Sequence, residues 1–271
     1  MAVRYLKGSI SVSEKDDLPI LRAAHRAGHA QPRQIFEYLY PSRWLGNRWE
    51  SFRWRLRRLV EHEFLDKQRI TGLGDVLSLG PNGELTLQRT EPIIVERNSR
   101  SRTANGRHQQ WHDCDLFGIQ LALRRAGVVH LWEHEVEVRA TNDFTTARYV
   151  KDYDAVVTFR SERGTATVAL EYERTAKSTR EYARISDELN REFRVSLFLY
   201  LAHSPQLQTF LLHGLRKTRR TVLVANADEF CGDPRTALLI DAQTGVARTF
   251  DCLFEQRPLV QSPFDFPLPN G

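Results

Sequence analysis

The sequence predicts an α/β protein (α+β overall), with helices and a small hairpin first and an αβββαβ succession around a mixed sheet after them. Three observations predict this class. Helical spacing of apolar residues gives way to short alternating stretches near residue 64. A polar, arginine-rich segment, residues 96–110, then interrupts the apolar pattern. Beyond it strands and helices alternate, and residues 195–202 are too continuously apolar for a half-exposed strand, which indicates a central one.

Composition excludes several classes of protein. The 271 residues are 41% hydrophobic and 27% charged, which is typical of a globular chain with a buried core. The longest apolar run is less than half a membrane span, so we expect no membrane partner. The N-terminus has no apolar signal core, and the three scattered cysteines form neither a zinc spacing nor a disulfide framework. These features together predict a cytoplasmic protein.

The N-terminal part, residues 1–90, has the element order of a winged helix-turn-helix domain. The predicted helices cover residues 17–27, 31–39 and 49–64. The predicted strands cover residues 68–70, 76–79 and 85–87. Gly72-Leu73-Gly74 is the predicted tip of the wing, and a turn at residues 80–83 precedes the last strand. Three helices followed by a hairpin is the order that predicts this domain.

The third predicted helix carries an arginine-rich side opposite its apolar stripe. At 100° per residue the side expected to face DNA holds Arg48, Ser51, Trp54, Arg55, Arg58 and His62. Arginines on the third helix of such a domain are placed to meet phosphates and guanine edges in a major groove. We expect Arg53 and Arg57 to lie nearer the core boundary and to contact phosphates at most. The alternative interpretation is a solvated basic face in a chain whose net charge is +5.

The linker, residues 91–110, separates this domain from the second one. Its arginines stand among Ser, Asn and Gly: Arg97, Arg100, Arg102 and Arg107. A flexible basic arm of this kind can enter a minor groove or follow phosphates, and a solubilising hinge is an equal alternative. At the other end of the chain, residues 257–271 form a proline-rich tail whose apolar side chains suggest docking along a surface.

The second domain, residues 111–256, is predicted from alternating helices and strands. The predicted helices cover residues 113–126 and 179–193, with a third beginning at Ser204-Pro205. The predicted strands cover residues 131–138, 154–160, 165–173, 195–202, 221–225 and 236–241. Ser178 and Glu181 form a capping box at the start of the helix over 179–193. We interpret His112 and its acidic neighbours as a helix N-terminus rather than a metal site.

Three carboxylates fall on the central predicted strands. Glu171 and Glu173 share one face of their strand, and Asp154 begins the preceding strand of the same hairpin. If Asp154 and Glu171 meet across the ladder, their oxygens could hold Mg²⁺, which favours carboxylate ligands. We expect these acids to lie close together with Lys177 within reach, and a pairing cation to be a lysine or arginine rather than a metal.

The segments YDAVVTF and TVALEYERTAKSTREYARI resemble the PD-(D/E)xK nuclease-like fold. Together with the winged helix they are similar to the replication-relaxation proteins of plasmids and other mobile elements, over residues 12–220. The resemblance implies that Asp154 is the motif aspartate and Glu171 the acidic residue of the (D/E)xK pair. Glu173 then stands where the motif lysine belongs, with Lys177 as a displaced lysine, and Tyr153 stands where the motif has proline.

These observations predict a sequence-dependent double-stranded DNA-binding protein. The resemblance implies a transcriptional or replication regulator of a mobile genetic element, with a nuclease-like domain that does not cleave. The alternative is a Mg²⁺- or Mn²⁺-dependent DNA endonuclease using Asp154, Glu171, Glu173 and Lys177 as catalytic residues, with the metal on Asp154 and Glu171. A further alternative is an adaptor that recruits a replication or conjugation protein. A winged helix that reads a palindrome usually does so as a homodimer, which we expect here.

Overall fold

The computed structural model describes residues 10–41, 46–90 and 106–254. The N-terminal part begins with three helices: α1 (Leu18–Ala27), α2 (Pro32–Leu39) and α3 (Gly46–Glu61). Two antiparallel strands and a fourth helix follow: β1 (Leu65–Ile70), β2 (Gly74–Leu79) and α4 (Pro81–Thr90). Apolar residues of all three first helices meet in one buried cluster, to which α4 contributes Leu87. This part therefore has its own apolar core.

The strand predicted at residues 85–87 is wrong, because these residues belong to α4. Pro81, with its fixed φ, opens the helix, and Leu87 is fully buried while Leu85 is half exposed. Gly83 lets this helix approach its neighbours, since a Cβ there would collide with the carbonyl oxygen of Phe64. The small sheet of the N-terminal part thus consists of β1 and β2 among the described residues.

The C-terminal part is built on a seven-stranded sheet. Its helices are α5 (Gly106–Arg125), α6 (Glu135–Phe144), α7 (Thr179–Arg191), α8 (Pro205–Leu215) and α9 (Ala227–Gly232). Its strands are β3 (Val129–His134), β4 (Ala155–Ser161), β5 (Gly164–Glu173), β6 (Leu197–Ala202), β7 (Thr221–Asn226), β8 (Leu239–Asp241) and β9 (Ala247–Arg248). A short 3₁₀ helix, Phe250–Phe254, ends the described chain. The strands lie in sequential order, with β5, β6 and β7 parallel and the outer pairs antiparallel. The α/β class and the mixed sheet are confirmed.

Helices α6 and α9 were not predicted, and several element boundaries in this part differ from the prediction, two of them next to the N-terminal part or the cleft. The strand predicted over 131–138 ends at His134, where a capping box with Glu137 starts α6. Helix α5 begins at Gly106, so the end of the predicted linker is helical. Gln110 is buried there and donates to the Gln68 side chain of β1 at 2.7 Å. Tertiary contacts thus extend α5 into a segment whose polar composition predicted a linker.

The sheet lies between two apolar layers. Strand β5 sends Val168, Leu170 and Tyr172 towards the layer that includes α5 and α9. Ala169 faces the opposite layer, which includes α7 and α8. Because side chains alternate along a strand, Glu171 points to the same side as Ala169. The acidic residues of β5 therefore lie at the C-terminal end of an inner strand of the sheet.

Helix α5 connects the two parts of the chain. Phe117 joins the N-terminal cluster, while Ile119 and Leu123, two and six residues further on, join the sheet layer. His29, just after α1, bonds through Nδ1 to the Asp113 carboxylate at 2.7 Å, and both residues are buried. The N-terminal part is thus anchored to the same helix that borders the carboxylate-rich end of the sheet. Within the described chain, no helix combines the length and the apolar character needed to cross a bilayer.

Candidate functional site

Two arginines of the predicted DNA-facing side are engaged inside the protein. Arg55 lies with Nη1 3.2 Å from Asp17 and Nη2 3.0 Å from Asp16, and Arg58 lies 2.5 Å from Asp17. Asp17 is completely buried beside the first turn of α1. The side chains of Arg55 and Arg58 are only 28% and 24% exposed. These two arginines hold α3 against α1, a contact that the periodicity of α3 alone does not reveal.

The other flank of α3 is open. Arg53 and Arg57 are exposed, so the expectation that they lie nearer the core boundary is wrong, because Arg55 and Arg58 face the buried Asp17 instead. Trp54 is 57% exposed, with the Arg58 guanidinium 5.4 Å from its ring. Arg48 and Ser51 are also exposed, and His62 is half buried. Arg53, Arg57 and Trp54 therefore reach solvent on this flank of α3, which also carries Glu61 and Glu50, the latter paired with Arg53 at 3.2 Å.

The four linker arginines predicted to contact DNA fall partly outside the described residues. Arg97, Arg100 and Arg102 and the tail at 257–271 lie outside the described residues. Arg107 belongs to the first turn of α5.

A cleft of about 480 Å³ opens where β4 begins and β5 ends, next to the first turns of α5. Its lining residues are His108, Gln109, His112, Asp154, Glu171, Tyr172, Glu173, Arg174, Thr175 and Lys177. The antiparallel pairing of Ala155 with Leu170 brings Asp154 beside Glu171 one step further on. The cleft thus unites the four residues that the sequence proposes as a catalytic set.

Asp154 is held by an imidazole and a backbone amide. Its Oδ2 accepts from the Tyr172 N–H at 2.8 Å and lies 3.2 Å from Nε2 of His112, which is also 3.0 Å from the Tyr172 carbonyl oxygen. Burial alone would raise the pKa of Asp154, but His112 and the Tyr172 amide hold it below its ordinary value. Burial would lower the pKa of His112, yet Asp154 raises it well above 6.5. Each group thus favours the charged form of the other.

Glu171 is paired with a lysine that the sequence reasoning did not select. Lys151 Nζ lies 2.7 Å from Oε1 of Glu171. Burial raises the pKa of Glu171 to about 7. The attraction of Lys151 lowers this pKa by less than burial raises it, and the repulsion of Asp154 raises it further. Burial would lower the pKa of Lys151, but Glu171 outweighs burial and the pKa is raised. The sequence feature that could have indicated Lys151 is its position three residues before Asp154.

Glu173 forms an ion pair with Lys177, four residues further along the chain. The Lys177 side chain is 34% exposed, whereas that of Glu173 is 8% exposed, so the pair lies at the mouth of the cleft. The backbone N–H of Lys177 donates to the Tyr182 hydroxyl at 3.2 Å, which fixes the step from β5 into α7. Each carboxylate of the cleft therefore has a cationic side chain beside it.

The opposite side of β5 carries a second polar group. The Tyr172 hydroxyl donates to Asp115 at 2.8 Å and lies 3.0 Å from Nδ1 of His203. Arg174 also pairs with Asp115, and its guanidinium lies 5.1 Å from the ring of Trp111. Burial and the Asp115 charge raise the pKa of Tyr172, so its hydroxyl stays a donor. This group ties the end of β5 to α5.

His112 and Asp113 do not form a helix N-terminus, which corrects the interpretation made from the sequence. Helix α5 begins at Gly106, so both residues lie beyond its first turn. His112 instead faces the cleft and Asp113 faces His29. A further buried group that the sequence did not indicate is the Tyr200 hydroxyl, which has no hydrogen-bond partner among the described residues. Burial and the charge of Glu171 raise the pKa of Tyr200 well above its ordinary value.

No family model matches this chain, and no curated protein or solved structure matches it either.

The cleft does not fit a bound Mg²⁺ or Mn²⁺ in this arrangement. Asp154 and Glu171 supply the oxygen ligands that these ions prefer. However, His112 lies between the Asp154 carboxylate and the Tyr172 carbonyl, and Lys151 faces Glu171. Within residues 10–41, 46–90 and 106–254, no group of three or more potential ligand side chains is arranged around a metal position. Side-chain cations already neutralise the carboxylates that a metal would need.

Proposed function

We propose that this protein binds double-stranded DNA through the exposed flank of α3. The observation that carries the proposal is the exposed flank of α3, where Arg53 and Arg57 reach solvent beside the exposed Trp54, with Glu50 paired to Arg53 and Arg48 exposed near the start of the helix. The buried residues Phe52, Leu56 and Leu59 fix the helix from the other side. A rigid helix that projects arginines can enter a major groove and contact guanine edges and phosphates. The helix order and the β1–β2 hairpin support a winged helix with α3 as its recognition helix.

The proposed biological role is that of a cytoplasmic regulator of transcription or replication in a mobile genetic element. This part of the proposal is supported by the resemblance in sequence alone. The protein acts as a homodimer if its site is palindromic, because two recognition helices then meet two half-sites. A replication or conjugation protein is a further proposed partner.

We predict that the Arg53→Ala/Arg57→Ala double variant loses duplex affinity by on the order of tenfold or more, because it removes two exposed cations from the recognition helix. The probe is a labelled duplex that the wild-type protein has enriched from a random pool, followed by fluorescence anisotropy at several salt concentrations. The matched control is Arg235→Ala/Arg248→Ala, which removes the same charge from exposed positions far along the chain. Equal affinities of the two double variants would contradict the proposed role of α3.

The C-terminal part is proposed to keep a nuclease-like architecture without hydrolysis. What supports this is the pairing in the cleft: Glu171 faces Lys151, Glu173 faces Lys177, and Asp154 faces His112. The alternative, a metal-dependent endonuclease, is favoured by one specific observation. Lys151 approaches Glu171, the acidic residue of the proposed motif, and so takes the place for which the resemblance implies Lys177.

We predict that the purified protein leaves supercoiled and linear DNA intact in the presence of Mn²⁺, because the cleft is already neutralised. Gel electrophoresis after incubation with and without Mn²⁺ measures this, with binding recorded in parallel. Mn²⁺-dependent nicking that disappears in both Asp154→Ala and Glu171→Ala variants would establish the endonuclease instead. The Asp233→Ala variant, which changes an exposed carboxylate elsewhere, is the matched control.

A further inference from the structure

A second basic surface lies at the end of the sheet opposite the cleft. The loop at residues 216–220 joins α8 to β7, so it lies where the parallel strands begin, whereas the cleft lies where β5 ends. Arg216, Lys217 and Arg219 are exposed, and their side chains make no ion pair with any residue that the structure describes. Neither the α3 proposal nor the cleft uses these three cations.

The backbone of this loop is fixed to the end of α7. Thr218 is buried and its hydroxyl donates to Ser186 at 2.9 Å. The backbone N–H of Arg219 donates to the Asn190 side chain at 2.7 Å, and Arg220 donates to the carbonyl oxygen of Glu192. Because the side chain of Thr218 points inwards, its charged neighbours are presented to solvent from a fixed loop. Such preorganisation lowers the entropic cost of binding a polyanion.

The end of α7 adds an arginine and an aromatic ring to this surface. Arg191 is exposed, and Phe193 is 67% exposed two residues later. Glu192, between them, does not neutralise the surface, because its buried carboxylate accepts from Val150 N at 2.9 Å, Tyr153 Oη at 3.0 Å and Arg194 N at 2.8 Å. The loop contacts Asn190 and Glu192, so its exposed cations adjoin the segment that exposes Arg191 and Phe193.

We infer that this surface binds single-stranded nucleic acid, separately from the duplex site proposed on α3. Guanidinium groups match phosphate oxygens in a bidentate geometry, and the surface carries more arginine than lysine. An exposed aromatic ring among cations is the platform on which an unpaired base stacks, and paired bases within a duplex do not offer that face. The backbone phosphates contact Arg191, Arg216, Lys217 and Arg219, while a base stacks on Phe193.

The test uses the full chain and a fluorescently labelled oligothymidylate of about 16 nucleotides, measured by anisotropy over a range of salt concentrations. The Arg216→Ala/Lys217→Ala/Arg219→Ala variant is expected to bind on the order of 100-fold more weakly at low salt. Its slope of log affinity against log salt is expected to fall by about 2, since three phosphate contacts are lost. Phe193→Ala is expected to weaken binding on the order of tenfold with the slope unchanged.

The matched control removes three exposed arginines elsewhere, Arg180→Ala/Arg235→Ala/Arg248→Ala, and is expected to bind nearly as the wild type. Thermal melting confirms that each variant is folded. The inference is overturned if the loop variant and the control bind equally, or if Phe193→Ala leaves binding unchanged. It is also overturned if the wild type binds phosphatidylserine vesicles but not the oligonucleotide. Duplex binding by the Arg53→Ala/Arg57→Ala variant is measured separately, so the failure of one proposal is distinguishable from that of the other.

Discussion

Asp17→Asn is expected to lower the free energy of unfolding by about 3 kcal/mol, because it removes one partner of a buried charge cluster. Asp17 is completely buried, and its carboxylate accepts from Arg55, Arg58 and the backbone N–H of Ser13. Asparagine keeps the size of the side chain but not its charge. Arg58 would then lose the carboxylate it pairs with, and Arg55 would keep only Asp16.

Urea unfolding followed by circular dichroism measures this effect. The matched control is Asp16→Asn, since Asp16 is 37% exposed and pairs with Arg55 alone. Solvent-exposed ion pairs contribute about 1 kcal/mol or less, so this control is expected to change stability little. Equal losses in the two variants would show that the buried cluster does not stabilise the contact between α1 and α3.

The Asp17 cluster also affects how DNA binding is tested. Substituting Arg55 or Arg58 removes a partner of Asp17 and leaves a buried carboxylate less well compensated. A loss of DNA binding in such a variant therefore combines destabilisation with lost contacts. Arg53 and Arg57 are free of this difficulty, because neither contacts Asp17 and both are exposed.

Lys151→Met is expected to destabilise the protein by up to about 2 kcal/mol at pH 8.5, and by much less at pH 6. The pKa of Glu171 is raised from its ordinary value of 4.5 to about 7 by burial, with Lys151 opposing the rise. Wild-type stability therefore falls as the pH increases from 4.5 to about 7, because the unfolded chain releases the Glu171 proton first. Without Lys151 the pKa of Glu171 rises further, so the loss of stability continues to higher pH.

Unfolding free energies of both proteins at pH 6 and pH 8.5 measure this difference. Below pH 7 Glu171 is protonated in either folded protein, so the two remain similar there. Lys177→Met is the matched control, because Lys177 is 34% exposed and its pair with Glu173 is partly screened by solvent. A loss of stability in Lys151→Met that is the same at both pH values would contradict the coupling of Lys151 to Glu171.

Sequence patterns predicted correctly those features that depend only on neighbouring residues, such as a helix cap or the alternation of side chains along a strand. The capping box of Ser178 and Glu181 begins α7 as expected, with the Glu181 N–H donating to the Ser178 hydroxyl. The alternation of Leu170, Glu171 and Tyr172 correctly predicted which side chains face opposite sides of β5. Both signals extend over a few residues, and no distant contact outweighs them.

Local signals failed where a distant contact decided the structure. Residues 85–87 alternate like a strand, but they form α4 because Leu87 packs into the cluster of the first three helices. Gln110 belongs to a polar segment, yet it is buried within α5 and bonds to Gln68 of β1. Such outcomes depend on a partner that lies far away in sequence, which periodicity does not register.

The sequence by itself determined the α/β class, the order of the main elements, the position of the carboxylates near the end of β5 and the arginine content of α3. Only the tertiary structure decided which cation stands beside which acid. Lys151 reaches Glu171 from the segment before β4, His112 reaches Asp154 from α5, and Asp17 draws Arg55 and Arg58 away from solvent. The physical reason is that burial makes an unpaired charge costly, so packing selects the partners, and packing joins residues that local spacing does not relate.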